Sequence, residues 1–206
     1  MFGHLTGLEI LYVLVAVIVS VGFHEAMHGF IAFKLGDRTA ADLGRITLNP
    51  LAHVDIFATV LLPLLLIISG LPPFFAAKPV PFNPARVKWD EYGAALVGLA
   101  GPLTNLVLAA AAGGIYRLAP YGAAGDFLSI FTAINVALFV FNMIPFPPLD
   151  GSRLLYAFAP EALRDVMARI EQLGLVAILI FMVLFFNILG PTVINIDQHL
   201  INLLLG

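Results

Sequence analysis

Long apolar stretches, separated by short polar ones, dominate the pattern of this chain. Five of them are close to the roughly 20 residues that an α-helix needs to cross the hydrocarbon core of a bilayer. They cover residues 8–35, 56–75, 92–118, 127–144 and 173–189. Residues 192–206 are also apolar but contain several polar side chains, so the pattern leaves open whether they span. It therefore predicts about five to six transmembrane helices.

The segment after the first predicted helix has a different pattern. Between residues 36 and 55, turn-forming residues flank a partial alternation of apolar and polar side chains, which lies at residues 43–48. A period of two is typical of a β-strand. We therefore predict a short membrane-associated β-hairpin here, within a fold that is otherwise an all-α polytopic membrane protein.

Composition supports this fold class and narrows the function. The chain is 61% hydrophobic and 11% charged, and its mean hydropathy is +1.00. Its net charge is -3 and its basic residues form no cluster, so nucleic acid is not an expected partner. No signal-peptide pattern, repeat or soluble insert is visible, and we expect residues 1–206 to form a single membrane domain. Cysteine is absent, so any metal must take nitrogen or oxygen ligands.

An ionisable cluster interrupts the first predicted helix, in the stretch GFHEAMHGF at residues 22–30. His24 and His28 are four residues apart, so on a helix both imidazoles lie on one face and can bind one ion. In H-E-x-x-H sites the two histidines bind zinc, and the glutamate is the general base for the water on the metal. The pattern therefore predicts a metal site with Glu25 as the base.

Two observations favour this interpretation over polar residues that merely satisfy one another inside a helical bundle. With five histidines and five glutamates among 206 residues, chance alone predicts the motif about 0.003 times. A charged residue at membrane depth also costs roughly 2.5 to 3.5 kcal/mol on insertion scales, and such residues generally serve a function.

A catalytic zinc normally has three protein ligands, so a third is still to be found. The candidates are the remaining histidines and two aspartates: His4, His53, His199, Asp55 and Asp150. Asp150 follows three prolines in NMIPFPPLDG, residues 142–151, that interrupt the fourth predicted helix. Irregular backbone at membrane depth is buried in protein or lines a wet cavity. Asp150 can instead be the N-cap of a following helix, so the residues alone leave the choice open.

Taken together, these motifs resemble the site-2 proteases, a family of intramembrane zinc metalloproteases. Three stretches are similar to that family's hallmark segments, in the family's order: HEAMH (24–28), GPLTN (101–105) and FNMIPFPPLDG (141–151). Two more resemble its bacterial and archaeal members closely: GRITLNPLAHVD (44–55) and KPVPFNP (78–84). The resemblance covers about residues 23–151 and indicates a short type, without PDZ-like or CBS-like domains.

The resemblance implies a role for each site residue. His24, His28 and Asp150 are then the ligands of one zinc ion per chain. Glu25 is the catalytic base, and Asn142 is a hydrogen-bond donor near the oxyanion that forms during peptide hydrolysis.

The resemblance also implies a substrate, the transmembrane segment of a single-pass membrane protein. A helix must be unwound locally before its peptide bonds are attacked, and an exposed strand edge can pair with the freed backbone. Residues 39–48 are the strand-like segment near the histidines, so we predict that they clamp the substrate. Asn105 is open between bundle packing and a supporting contact to the site.

Two other classes stand as alternatives. A membrane zinc or cation transporter also places His and Asp in its spans but has no use for Glu25 in that position. A catalytically silent membrane-binding protein could keep the fold without turnover. In each case we expect a multi-pass protein embedded in the lipid bilayer of a prokaryotic cell (inner) membrane. The sequence does not indicate the oligomeric state.

Overall fold

The computed structural model describes residues 6–53, 61 and 78–206, and the regular structure of those residues is helical. The helices are α1 (Gly7–Lys34), α2 (Thr39–Asp42), α3 (Asp90–Leu118), α4 (Gly122–Asn142), α5 (Gly151–Phe158), α6 (Glu161–Glu171) and α7 (Leu175–Leu205). Short 3₁₀ turns lie at Pro50–His53 and Pro84–Arg86.

Three of these helices, α1, α3 and α4, are long and apolar enough to cross a membrane. They coincide with the predicted spans at residues 8–35, 92–118 and 127–144. Helix α6 and the start of α7 qualify together as a fourth span, although they meet at a bend of 101°.

The predicted fold class is wrong in two respects. The part of the chain that the structure describes contains no strand, and it carries three or at most four candidate spans instead of five to six. The predicted span at residues 173–189 falls in the bent pair, and the one at 56–75 lies outside the described residues except for residue 61. The strand clamp predicted at residues 39–48 is lost with the hairpin.

The segment predicted as a hairpin is a helical turn followed by a loop. Asp37 accepts hydrogen bonds from the Thr39 amide at 3.0 Å and the Thr39 hydroxyl at 2.5 Å. Two alanines in the turn that follows favour a helix. Beyond it, the Arg45 guanidinium donates to the carbonyl groups of Ala52 and Lys78. Side-chain hydrogen bonds therefore hold this loop, in place of a strand ladder.

Helix α1 begins at a capping box. The Thr6 hydroxyl accepts a hydrogen bond from the Glu9 amide at 3.3 Å, and the Glu9 carboxylate accepts one from the Thr6 amide at 2.8 Å. The two side chains satisfy backbone donors that the first turn of a helix leaves free. The helix then continues for 28 residues, which is long enough to carry the histidine pair well inside the bundle.

Helix α3 is central, since it contacts α1, α4, α5 and α7. Its buried positions are mostly glycine and alanine, which let neighbouring helices approach closely. The tail that the sequence left open is the second half of α7. Its apolar side chains, among them Val193, Leu200 and Leu204, pack against α3 and α4 at Ala109 and Val136. The tail thus completes the bundle at this end.

Asp37 ties the end of α1 to the loop before α3. The residue is 0% exposed, and besides Thr39 it accepts a hydrogen bond of 2.6 Å from the backbone amide of Asn83. Burial alone would raise the pKa of this carboxyl, but the hydrogen bonds from Thr39 and Asn83 outweigh burial and hold the pKa below its usual value. The folded protein therefore contains Asp37 as a carboxylate.

We expect Asp37→Asn to destabilise the protein by about 1.5 to 3 kcal/mol near neutral pH, the size of a hydrogen bond to a charged group. The folded pKa is lowered, so this contribution is fully present above the unfolded pKa and is lost as the pH falls through the folded pKa. Thermal unfolding of the wild type and the variant in detergent, from pH 7 to about 3, measures the difference. Asp165→Asn, at an exposed position of α6, is the control. A difference that does not shrink in acid would contradict the assignment.

Candidate metal centre

Two histidines of α1 face each other inside the bundle. His24 and His28 are 7% and 8% exposed. Their Nε2 atoms are 3.0 Å apart. The four-residue spacing on a helix therefore brings both imidazoles to one point, as the sequence suggested.

Asp150 reaches the same point from the turn between α4 and α5. Its Oδ2 atom lies 3.0 Å from His24 Nε2 and 3.3 Å from His28 Nε2. Asp150 is the N-cap residue of α5, yet its side chain makes no capping hydrogen bond. The turn is tight, since a Cβ at Gly151 would lie 2.5 Å from the carbonyl oxygen of Met143. The backbone thus directs the carboxylate toward the histidines.

The Nδ1 atoms of both imidazoles are hydrogen-bonded to carbonyl oxygens. His24 Nδ1 lies 2.6 Å from Asn105 Oδ1, and His28 Nδ1 lies 2.7 Å from the backbone oxygen of Val97. Because a carbonyl oxygen only accepts hydrogen bonds, each Nδ1 carries a proton. In the neutral rings, each Nε2 then presents a lone pair to the centre.

Three electron-pair donors therefore converge in what we call the His–His–Asp cluster, His24, His28 and Asp150. Asp150 Oδ2 is buried and has no hydrogen-bond partner among the described residues. Such a cluster suits a cation. Zinc bonds of about 2.0 to 2.1 Å place tetrahedral ligands about 3.3 to 3.4 Å apart, close to the observed 3.0 to 3.3 Å. These side chains could hold zinc and leave its fourth position open.

Gly101 of α3 makes room for both imidazoles. A Cβ at this position would lie 2.3 Å from His28 Nε2 and 2.6 Å from His24 Nε2. The close approach is between the α3 backbone and the histidine rings.

A buried polar network supports His24 from behind. Asn105 donates through Nδ2 to Asn135 Oδ1 at 2.9 Å and to the Ser20 carbonyl at 3.3 Å. Asn135 donates to the Ser20 hydroxyl at 2.7 Å. All three residues are 0% exposed. The sequence left Asn105 open between bundle packing and a supporting contact to the site. Its contact with His24 Nδ1 is such a supporting contact.

Ser20 and Asn135 were missed by the sequence analysis, although each left a signal. Ser20 precedes His24 by one helical turn and therefore shares its face of α1. Asn135 is a polar residue in the middle of an apolar span, where an unpaired amide would be costly. The carbonyl of Val97 has no such signal, because every residue has one.

Glu25 and Asn142 make hydrogen bonds outside the His–His–Asp cluster. Glu25 Oε2 accepts a hydrogen bond of 2.7 Å from the backbone amide of Val80. Asn142 donates through Nδ2 to the carbonyl of Leu138, one turn back in α4, at 3.0 Å. Of the five predicted site residues, the structure thus groups three and holds the other two by separate contacts.

The other candidates for the third ligand are not part of the cluster. His53 is fully buried, and its Nε2 lies 2.9 Å from the carbonyl oxygen of Thr47. His199 is exposed on α7. His4 and Asp55 lie outside the described residues. Within the described ranges, no other group of three metal-binding side chains occurs.

Comparison with known proteins gives the family. Residues 116–186 match Peptidase family M50. The chain is 37% identical over 193 residues to "Putative zinc metalloprotease YwhC" of Bacillus subtilis. This alignment covers 89% of this chain and 84% of the relative. It therefore belongs to Peptidase family M50, the site-2 proteases that its motifs resemble. The predicted family is confirmed, and so is the predicted function of a zinc-dependent intramembrane protease.

More distant relatives are the Rip2 proteins of two mycobacterial species, which carry the same description. The identity is 28% over 172 residues for Mycolicibacterium smegmatis and 30% over 172 residues for Mycobacterium tuberculosis H37Rv. These alignments cover 81% and 79% of this chain but only 64% and 63% of the two relatives. The chain thus spans less than two thirds of the Rip2 proteins. No solved structure matches significantly.

We expect Gly101→Ala to weaken zinc binding about 10- to 100-fold, the range seen when groups that orient metal ligands are disturbed. The added Cβ would occupy space 2.3 to 2.6 Å from both Nε2 atoms. Chelator competition on purified protein measures the affinity. Gly114→Ala is the matched control, because it lies in the same helix and its Cβ would meet nothing within 4 Å. Equal zinc affinity in the two variants would contradict this prediction.

Proposed function

We propose that this chain is an endopeptidase in which His24, His28 and Asp150 hold one zinc ion and Glu25 is the general base. The observation that carries the proposal is the convergence of two imidazole nitrogens and a carboxylate oxygen on one point of a membrane-spanning helix. Membership of a zinc protease family supports it. We propose further that residues 1–206 act as a single domain.

The chain's own residues then divide the chemistry of peptide hydrolysis. Zinc, when bound, supplies a Lewis acid and lowers the pKa of a water molecule. Glu25 would accept a proton from the attacking water molecule, whose oxygen would add to the scissile carbonyl carbon. Glu25 next gives the proton to the amide nitrogen, the carbon–nitrogen bond breaks, and an amine and a carboxylic acid leave. The histidines and Asp150 stay in place throughout.

Asn142 is proposed as the donor to the oxyanion. Its side-chain amide has two N–H groups, and the hydrogen bond to the Leu138 carbonyl uses one of them. The other can donate to the oxygen that becomes negative as water adds. Because Asn142 is the last residue of α4, it precedes the turn that carries Asp150.

We propose transmembrane segments of single-pass membrane proteins as substrates. A groove of about 220 Å³ lies between α1 and residues 46–48, with an almost wholly apolar lining. Ala26, Met27 and Phe30 form one wall, and residues 46–48 form the other. Such a groove suits the apolar side chains of an unwound membrane segment.

The proposed location is a prokaryotic cell membrane, because the relatives reported above come from bacteria. The relatives reported above are described as zinc metalloproteases and not as transporters, which favours the peptidase. A catalytically silent protein would have no need for the proposed base Glu25 or for a complete set of three candidate zinc ligands.

The ligand assignment predicts the zinc content of simple variants. We expect His24→Ala, His28→Ala and Asp150→Ala each to lose most of the one zinc per chain, because removal of one ligand leaves too few protein donors. Metal analysis of purified protein checks this. His199→Ala and Asp165→Ala, at exposed positions, are matched controls that should keep their zinc. If Asp150→Ala retains the zinc content of the wild type, the third ligand is a residue other than Asp150.

The role of Glu25 predicts a separation of metal binding from turnover. In Glu25→Gln the shape is kept but the proton acceptor is lost, so cleavage should fall by about 10² to 10⁴-fold while zinc stays near the wild-type level. The assay is cleavage of a panel of single-span substrates reconstituted in liposomes. Equal cleavage by both proteins would exclude Glu25 as the base, and zinc flux without any cleavage would favour a transporter.

A further inference from the structure

Residues 78–83, which we call the strap, lie against α1 and are anchored at both ends. At one end, the Lys78 amide donates to the carbonyl of His53 at 2.9 Å, and the Lys78 carbonyl accepts from Arg45 at 2.9 Å. At the other end, the Asn83 amide donates to the buried carboxylate of Asp37 at 2.6 Å. The strap is therefore held in place independently of the site.

The middle of the strap is also fixed by packing. Val80 is 6% exposed. A Cβ at Gly29 would lie 3.0 Å from Val80 Cγ1, so this side chain fills the space beside a glycine of α1. Two residues on, Phe82 lies under the Arg153 guanidinium, 5.4 Å from the ring centroid. Val80 is thus seated one turn of α1 beyond Glu25.

The sequence of the strap isolates a single hydrogen-bond donor at this place. Val80 stands between Pro79 and Pro81, and proline has no backbone N–H. A following proline also keeps Val80 itself in an extended conformation. The N–H of Val80 is therefore presented without competing neighbours, and it donates to Glu25 Oε2 at 2.7 Å.

We infer that the Val80 amide orients Glu25 for catalysis, which makes Val80 a positioning residue of the peptidase. This inference rests on the proposed role of Glu25 as the base. A glutamate side chain has several rotatable torsions, and a base acts only within hydrogen-bond reach of the proton it takes. Holding Oε2 against the strap restricts those torsions and leaves Oε1 to receive the proton.

The first test removes the donor. Val80→Pro lacks the N–H, and a displaced base should lower kcat by about 10- to 100-fold, since a shift of 1 Å can cost 10²-fold. KM and zinc content should stay near wild type. Val80→Ala keeps the N–H and should recover most of the kcat lost in Val80→Pro. If kcat is unchanged in Val80→Pro, or if it falls equally in both variants, the amide does not position the base.

A double variant separates this role from a merely structural one. If the strap acts through the Glu25 carboxylate, Val80→Pro should add little to the loss already caused by Glu25→Gln, because residues that act as a unit are not additive. If Val80→Pro instead caused an independent structural defect, its fold-loss in kcat would multiply with the fold-loss caused by Glu25→Gln. Full additivity of the two losses would overturn the inference.

Hydrogen exchange tests the contact without any need for activity. Val80 is the only exchangeable amide within residues 79–81, so mass spectrometry can follow it individually. It should be protected in the wild type and lose most of that protection in Glu25→Ala, while the Asn83 amide, bonded to Asp37, keeps its own. Unchanged protection of Val80 would overturn the inference even if Val80→Pro fails to fold.

These outcomes are distinct from failure of the proposed function. If Glu25→Gln cleaves normally, the assignment of the base is wrong. If Glu25→Gln is inactive while Val80→Pro cleaves normally with intact zinc, only the role of Val80 is wrong.

Discussion

Two imidazole lone pairs and a carboxylate oxygen, held 3.0 to 3.3 Å apart and largely away from water, repel one another unless a cation lies among them. Leaving such polar groups buried and uncompensated is costly. The neighbouring structure maintains this arrangement. Carbonyl oxygens accept hydrogen bonds from the Nδ1–H groups of both histidines, Gly101 leaves space for the rings, and the turn at Gly151 directs Asp150 inward. The small residues of α3 then allow its backbone to lie against α1.

The parts that could be predicted from sequence are those with a local pattern. A run of apolar residues identifies a span without reference to the rest of the chain, so α1, α3 and α4 could be anticipated. The spacing of His24 and His28 fixes their relation through helix geometry alone. Asp150 could be proposed only through its motif, because nothing local connects it to a helix that ends more than a hundred residues earlier.

The parts that could not be predicted depend on contacts between distant segments. The hairpin was inferred from a few alternating residues, but Asp37 and Arg45 supply side-chain hydrogen bonds that favour a helical turn and a loop. The Val80 amide and the Val97 carbonyl are backbone groups, and a sequence carries no mark of which backbone groups will face a site. Asn135 was visible as an odd polar residue, yet its partners became apparent only with three helices assembled.

The distance along the chain between the histidines and Asp150 has a consequence for biogenesis. Chains enter the membrane from their amino-terminal end as they are made, so α1 is inserted long before the turn after α4 exists. Until residue 150 has emerged, the histidine pair lacks the carboxylate proposed to complete its metal centre, and metal binding is coupled to folding. A nascent copy would therefore stay inert beside other newly inserted proteins, and its capacity to cut them would arise only when its own helices have closed around the centre.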